Sequence, residues 1–206
     1  MKKTIAVFAL AGVASLANAD LMITEIYAGV SGADGTADWI EVVNTGNTSI
    51  DLGDFAYEDE GAPSASQSAI ASLILGAGEV AIIMADADAS AIAEFQSVWN
   101  YSGLITHTNG DGGGLSQGGD VANIINIMTQ DIAATATIPN TGGAFASVDF
   151  TGDNPFLSMI GVNGAYASNT FGDDGRFLIA SPGSIPAPGA MALVALGGLV
   201  GARRRR

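Results

Sequence analysis

Cysteine is absent from the 206 residues, and histidine occurs once, at His107. The first absence removes disulfides, thiolate nucleophiles and cysteine-bearing zinc sites. The second leaves no partner for a histidine metal centre, and any serine triad would have to be built on His107. Positive charge is nearly as scarce. Of seven Lys and Arg residues, six lie at the extremities (Lys2, Lys3 and Arg203–Arg206), so Arg176 is the one cation between them. All 21 Asp and Glu fall between Asp20 and Asp174, which gives that middle part 21 − 1 = 20 net negative charges. Nucleic-acid binding draws on Lys and Arg that release counterions from phosphate, so this class of partner is excluded, and anionic lipid is disfavoured. Aromatic residues make up only 7% of the chain, which is low for a sugar-cleaving cleft. No Walker or dinucleotide glycine pattern follows a strand with the partner residues it needs. Paired carboxylates are plentiful, but nothing in the spacing selects one pair for acid–base work. The chain reads as non-enzymatic.

What is present in quantity is glycine, with 28 residues. Together with the shortage of Lys and Arg, it points to short strands and many turns rather than a helical bundle. The segment from Asp20 to Pro182 is long enough for one domain with its own core.

The two ends carry the firmest signals. Met1-Lys2-Lys3, the apolar Thr4–Leu16 and the small-residue site Ala17-Asn18-Ala19 before Asp20 are the three parts of a secretory signal peptide, with cleavage expected between Ala19 and Asp20. At the other end, residues 183–189 form a Pro/Gly tether, Ala190–Ala202 an apolar run and Arg203, Arg204, Arg205 and Arg206 a basic terminus. Thirteen helical residues span roughly 20 Å. That is short of the ~30 Å hydrocarbon core and suits a marginal or transient membrane segment whose arginines stay in the cytoplasm. With both tips held inside and an acidic middle, the expected topology places the domain outside.

The tail resembles a PEP-CTERM sorting signal, in which a Pro-Glu-Pro motif, a short transmembrane stretch and an Arg cluster follow one another. Here the motif stands as Pro186-Ala187-Pro188, with alanine in place of glutamate. The resemblance implies a bacterial protein, handled by the export machinery and by an exosortase-type sorting peptidase, transiently anchored in the inner membrane and delivered to the cell surface or extracellular matrix.

Along the middle, strands are expected over Leu21–Tyr27, Trp39–Val43, Phe55–Tyr57, Ser68–Leu75, Glu79–Met84, Leu104–Thr108, Val121–Met128, Asp131–Ile138, Ala146–Phe150 and Arg176–Ala180, separated by Gly/Asn/Asp turns. One helix is expected over Ala91–Asn100, with Asp88 or Ser90 as its cap, Ile92, Phe95 and Trp99 on one face, and Gly103 as its stop. The region between the last two strands reads as loosely held. Leu21-Met-Ile-Thr-Glu-Ile-Tyr27, Asp38-Trp-Ile-Glu-Val-Val-Asn-Thr-Gly46, Ile50-Asp-Leu-Gly-Asp-Phe55, Gly76-Ala-Gly-Glu-Val-Ala-Ile-Ile83 and Gly114-Leu-Ser-Gln-Gly-Gly-Asp120 are together similar to the lamin-tail domain family. That resemblance implies an all-β, immunoglobulin-like antiparallel β-sandwich, here with one inserted short helix.

Several acidic groups are candidate calcium ligands. Asp86, Asp88 and Ser90 have the spacing of a calcium loop but lack its central glycine and final glutamate. Asn109–Leu115 has the flavour of a calcium-binding repeat, but in a single copy. Glu58-Asp59-Glu60 and Asp173-Asp174 read as exposed acidic loops, with Arg176 pairing to one of the latter. The expectation is therefore no cofactor, with weak calcium binding left open. The function expected is that of a structural or adhesive surface module, whose partners would be matrix polysaccharide or other surface proteins. A calcium-dependent carbohydrate- or ligand-binding domain is the alternative, and a secreted hydrolase the least favoured.

Overall fold

The structure, a computed structural model, describes residues 21–29, 36–60, 67–109, 113–171 and 175–184. The signal-peptide, sorting-motif and terminal-arginine expectations lie outside the described residues. Within them no helix is long and apolar enough to cross a membrane.

Among the described residues, fourteen strands, β1 (Leu21–Tyr27), β2 (Trp39–Asn44), β3 (Ile50–Asp51), β4 (Phe55–Glu58), β5 (Ser68–Ala69), β6 (Ile74–Leu75), β7 (Val80–Met84), β8 (Leu104–His107), β9 (Asp120–Asn126), β10 (Ile132–Ile138), β11 (Val148–Asp149), β12 (Phe156–Leu157), β13 (Tyr166–Phe171) and β14 (Phe177–Ala180), accompany one α-helix, α1 (Ser90–Trp99), and a single 3-10 turn at Leu52–Asp54. A six-stranded sheet runs β12-β11-β1-β2-β7-β8 and faces a four-stranded sheet, β10-β9-β4-β5, while β3 with β6 and β13 with β14 form two small ribbons. This is a mostly antiparallel, immunoglobulin-like sandwich with one helix.

The helix has a topological cause. β8 lies parallel to β7, pairing Ala81 with Leu104 through Met84 with His107. A parallel neighbour needs a crossover rather than a hairpin, and α1 is that crossover. The expected all-antiparallel sheet is corrected at this one pair. The expected cap and stop also shift. Ala89 holds the cap position with no side-chain bond, while Asp88 accepts hydrogen bonds from the Ser90 amide and hydroxyl. At the other end Asn100, left-handed at φ 48°, closes the helix before Gly103 is reached.

Two further expectations are revised. The Ser68–Leu75 strand is two short strands in different sheets, because the amides of Leu52, Ile70 and Ala71 take the carbonyls of Leu73, Phe55 and His107 in turn as the chain crosses the sandwich. The stretch between Phe150 and Arg176, expected to be loosely held, forms two strands among its described residues. It contains β12, which extends the large sheet, and β13, which pairs with β14.

The main core lies between the sheets, where Ile26, Ile40, Val42 and Ile83 meet Leu52, Tyr57, Leu75, Ile124 and Ile138. A second cluster covers the opposite face of the large sheet: Tyr27, Trp39, Ile82 and Met84 pack under Phe95, Val98 and Trp99 of α1 and under Leu178 and Ala180 of β14. Trp39 stacks on Tyr27 at 6.1 Å and meets Phe95 edge-on at 5.5 Å. Such pairs add about 0.5–1.5 kcal/mol each beyond burial. Covered on both faces, β2 is buried along its whole length, and that places its one acidic residue, Glu41, inside the protein.

Candidate functional site

Alternation along β2 sends Ile40 and Val42 into the main core and Trp39 and Glu41 to the helix side. β1 would not match that pattern without a bulge. Register pairs Ile23 with Val42 and then Glu25 with Glu41, leaving Thr24 as the extra residue. The bulge turns Glu25 to the same side as Glu41, and on the far flank Glu25 is also the register partner of Asp149. Three acidic residues therefore stand in one row across β11, β1 and β2, each no more than 3% exposed.

Their oxygens are tied to hydroxyls and amides rather than to cations. Glu25 Oε1 accepts from the hydroxyls of Ser147 at 2.5 Å, Ser158 at 3.2 Å and Ser181 at 3.0 Å, and from the Ser181 amide at 2.8 Å. Its Oε2 has no hydrogen-bond partner among the described residues. Glu41 accepts from the Thr24 hydroxyl at 2.6 Å and from the Gly183 amide at 2.5 Å. Asp149 accepts from the amide and hydroxyl of Thr151 and from Asn163. Desolvation raises both glutamates above the ordinary carboxylate range, against the pull of these donors. Glu41 is pushed up to about 7, first by burial and then by the charges of Glu25 and Asp149. Two carboxyls facing each other in a dry interior cannot both ionise cheaply, so the pair tends to retain a proton. Tyr101 and Tyr166, whose hydroxyls burial raises to about 12, also feel these acids.

The arrangement binds distant parts of the chain to one another. Ser147, Ser158 and Ser181 come from three separate segments, and Ser181–Ser184 is the stretch that leads into residues 185–206. Gly183 adopts φ +80°, and a Cβ there would come 2.7 Å from the Tyr101 ring. The glutamates thus hold the base of the C-terminal tail against β1 and β2. Chemically the site is a sealed clamp, with its carboxylates turned away from solvent.

The residues singled out from sequence lie elsewhere. Glu58, expected in an exposed loop, is fully buried, because β4 runs on through it and pairs it with Asn123, whose amide donates to Glu58 Oε2 at 3.2 Å. Asp59 is half-buried, and burial followed by neighbouring acids raises it. Asp38 takes the amides of Gly29 and Leu115, which ties the glycine-rich 113–119 turn to the start of β2. Around that turn, a Cβ on Gly113 would abut Asp59 and one on Gly114 would lie 3.3 Å from Asp38 and 3.9 Å from Asp86. Even so, no three Asp, Glu or His side chains among the described residues are placed to hold a metal ion. His107 ends β8 with Nδ1 2.9 Å from the Thr108 carbonyl oxygen, which acts as the acceptor of an Nδ1 proton. Gly114-Leu-Ser-Gln-Gly118 has the Gly-x-Ser-x-Gly spacing of a hydrolase elbow. It forms a turn ahead of β9 instead of a strand-to-helix bend, and the Ser116 hydroxyl accepts from the Gly118 amide. Arg176 lies over the Phe145 ring, its Cζ 3.9 Å from the centroid. Asp173 and Asp174, its expected partners, are outside the described residues. Sequence reasoning passed over Glu25 and Glu41, although each is a single acid inside an otherwise apolar strand.

No curated protein matches the chain. The family model described as Lamin Tail Domain matches residues 14–147, which includes Glu25, Glu41 and Ser147 and stops short of Ser158 and Ser181. A match over well over half of the 206 residues, on a sandwich of this architecture, places the chain in the lamin tail domain family.

Proposed function

We propose that this protein is an exported, non-catalytic module of a bacterial cell surface or extracellular matrix. An exosortase-type peptidase would sort it through its C-terminal signal, and its role would be structural or adhesive. The observation that carries the reading is the closed carboxylate clamp. The most elaborate polar centre among the described residues is turned inward, and it fastens the chain segment that leads to Pro186-Ala187-Pro188. A catalytic pair would face a cleft that admits substrate, whereas a mechanical module benefits from having its attachment point locked into the sheet. Membership of a family of immunoglobulin-like structural domains supports the same role, as do the leader-like first nineteen residues and the acidic middle.

The test uses the absence of cysteine. A Ser97→Cys variant carries one thiol on the exposed face of α1. Intact cells of a bacterium that carries an exosortase, treated with a membrane-impermeant maleimide, should label this variant without lysis. Labelling that appears only after lysis would remove the surface role. Matrix polysaccharide from the same cells, immobilised and probed with the chain, then distinguishes a glycan partner from a protein partner.

A further inference from the structure

Beyond the clamp, Ser184 lies against an apolar patch. Ser184 packs on Gly164, where an added Cβ would come 2.7 Å from the Ser184 Cβ and Oγ. Gly164 is the foot of a tight loop. The Val162 amide donates to the Met159 carbonyl, the Gly161 amide to that of Ala165, and the Ala165 amide to that of Val162. On this loop and the adjoining end of β12 are four exposed apolar side chains: Leu157 at 37%, Met159 at 57%, Ile160 at 64% and Val162 at 38%. Four exposed apolar side chains within six residues of one internally hydrogen-bonded loop mark a contact surface rather than ordinary scatter. The chain carries no Asp or Glu between Asp153 and Asp173, so the loop is uncharged in a domain that is otherwise strongly acidic.

Where the chain goes next names the occupant. Six residue steps separate Ser184 from Ala190, the first residue of the apolar run. Fully extended they cover at most about 22 Å. If that run enters a bilayer, Ser184 and the Gly164 foot of the loop packed against it are held within about this distance of the same membrane. Exposed apolar side chains held at a bilayer surface gain by burial at the boundary between headgroups and acyl chains, as the apolar face of an interfacial helix does. A domain with twenty net negative charges is repelled by anionic lipid, so the matching surface is zwitterionic.

We propose that the loop Leu157–Val162 rests on the zwitterionic lipid surface that receives the C-terminal apolar run, seating the domain on the membrane beside its sorting motif. This rests on the reading of residues 190–206 as a membrane segment, and the test separates the two. Three single-cysteine variants of the full chain, Ile160→Cys, Ser97→Cys and Leu196→Cys, are labelled with an environment-sensitive dye. They are then reconstituted into phosphatidylcholine nanodiscs with and without brominated acyl chains. Residue 196 should be strongly quenched. The label at 160 should be blue-shifted and quenched several times more than the one at 97. In a Leu157→Ser, Val162→Ser background its quenching should fall to the level seen at 97. Quenching at 196 with identical behaviour at 160 and 97 overturns the loop proposal and leaves the tail reading intact. No quenching at 196 removes both. Shielding at 160 that grows with protein concentration at fixed lipid assigns the loop to a second copy of the chain, and that also overturns the proposal.

Discussion

Replacing Glu41 by glutamine gives the sharpest test of the carboxylate clamp. Glu41 is 1% exposed and titrates at about 7 in the fold, against an ordinary value of 4.5. The folded state therefore binds the proton more tightly than the unfolded chain does. The stability this contributes is fully present below pH 4.5 and is lost as the pH rises towards 7. At ~1.4 kcal/mol per pH unit the gap is worth about 3 kcal/mol. Glu25 is raised as well and acts in the same direction, so the wild-type slope should be at least this steep. Asp51 and Asp88 are lowered, so their contributions fade only as the pH falls below the ordinary carboxylate range, outside this window. Glutamine carries no charge and mimics the protonated acid: its oxygen can accept from the Gly183 amide in place of Oε2, while its NH2 takes the place of Oε1 and donates to the Thr24 hydroxyl oxygen. Urea unfolding, followed by the fluorescence of buried Trp39 and Trp99, should show wild type and Glu41→Gln close together at pH 5. By pH 8 the variant should be the more stable by about 3 kcal/mol. High salt screens the surface acids, which share the sign of this trend, but leaves the difference between the two proteins in place. Parallel pH profiles for the two proteins would refute the reasoning.

Ser181→Ala removes a hydroxyl from buried Glu25 and should cost about 1–3 kcal/mol, read as a shifted urea midpoint with unchanged slope. Gly183→Ala forces a side chain into φ +80° against Tyr101. It should cost about 1–3 kcal/mol and increase hydrogen exchange at residues 181–184 before the rest of the domain. Phe95→Ala opens the aromatic cluster under α1, with an expected loss of about 3–5 kcal/mol in chemical denaturation. Calcium at millimolar concentration should leave the melting temperature where magnesium leaves it; a saturable rise with calcium alone would favour the calcium-dependent reading.

Much of the sandwich was legible because its signals are local. Trp39-Ile-Glu-Val-Val43 and Val121–Met128 announce strands through composition, and Asn44–Asn47 announces a turn. α1 was found from Phe95 and Trp99, which lie on one face, and its packing against the outer face of the sheet follows from that face being apolar. Missed features depend on distant partners. Nothing near Ser68–Leu75 reveals that its amide partners change from one sheet to another. β12 has only two residues and β13 carries Ala-Ser-Asn-Thr between Tyr166 and Phe171, so both read as loop until β11 and β14 supply their ladders. Glu58 looked exposed because its neighbours Asp59 and Glu60 are acidic, whereas its burial is set by Asn123, 65 residues away. The clamp was hidden for the same reason. Glu25 meets Glu41 only through the bulge at Thr24, and Ser181 lies 156 residues beyond Glu25. A lone glutamate within an apolar strand was the available signal, occurring twice, at Glu25 and at Glu41.

The most direct measurement of the central claim is the mass of both terminal peptides of the protein recovered from the surface of the cells that make it. The recovered chain should begin at Asp20 and end ahead of the apolar run at Ala190. A protein found only inside the cell, still carrying Met1 and Arg206, would contradict that claim.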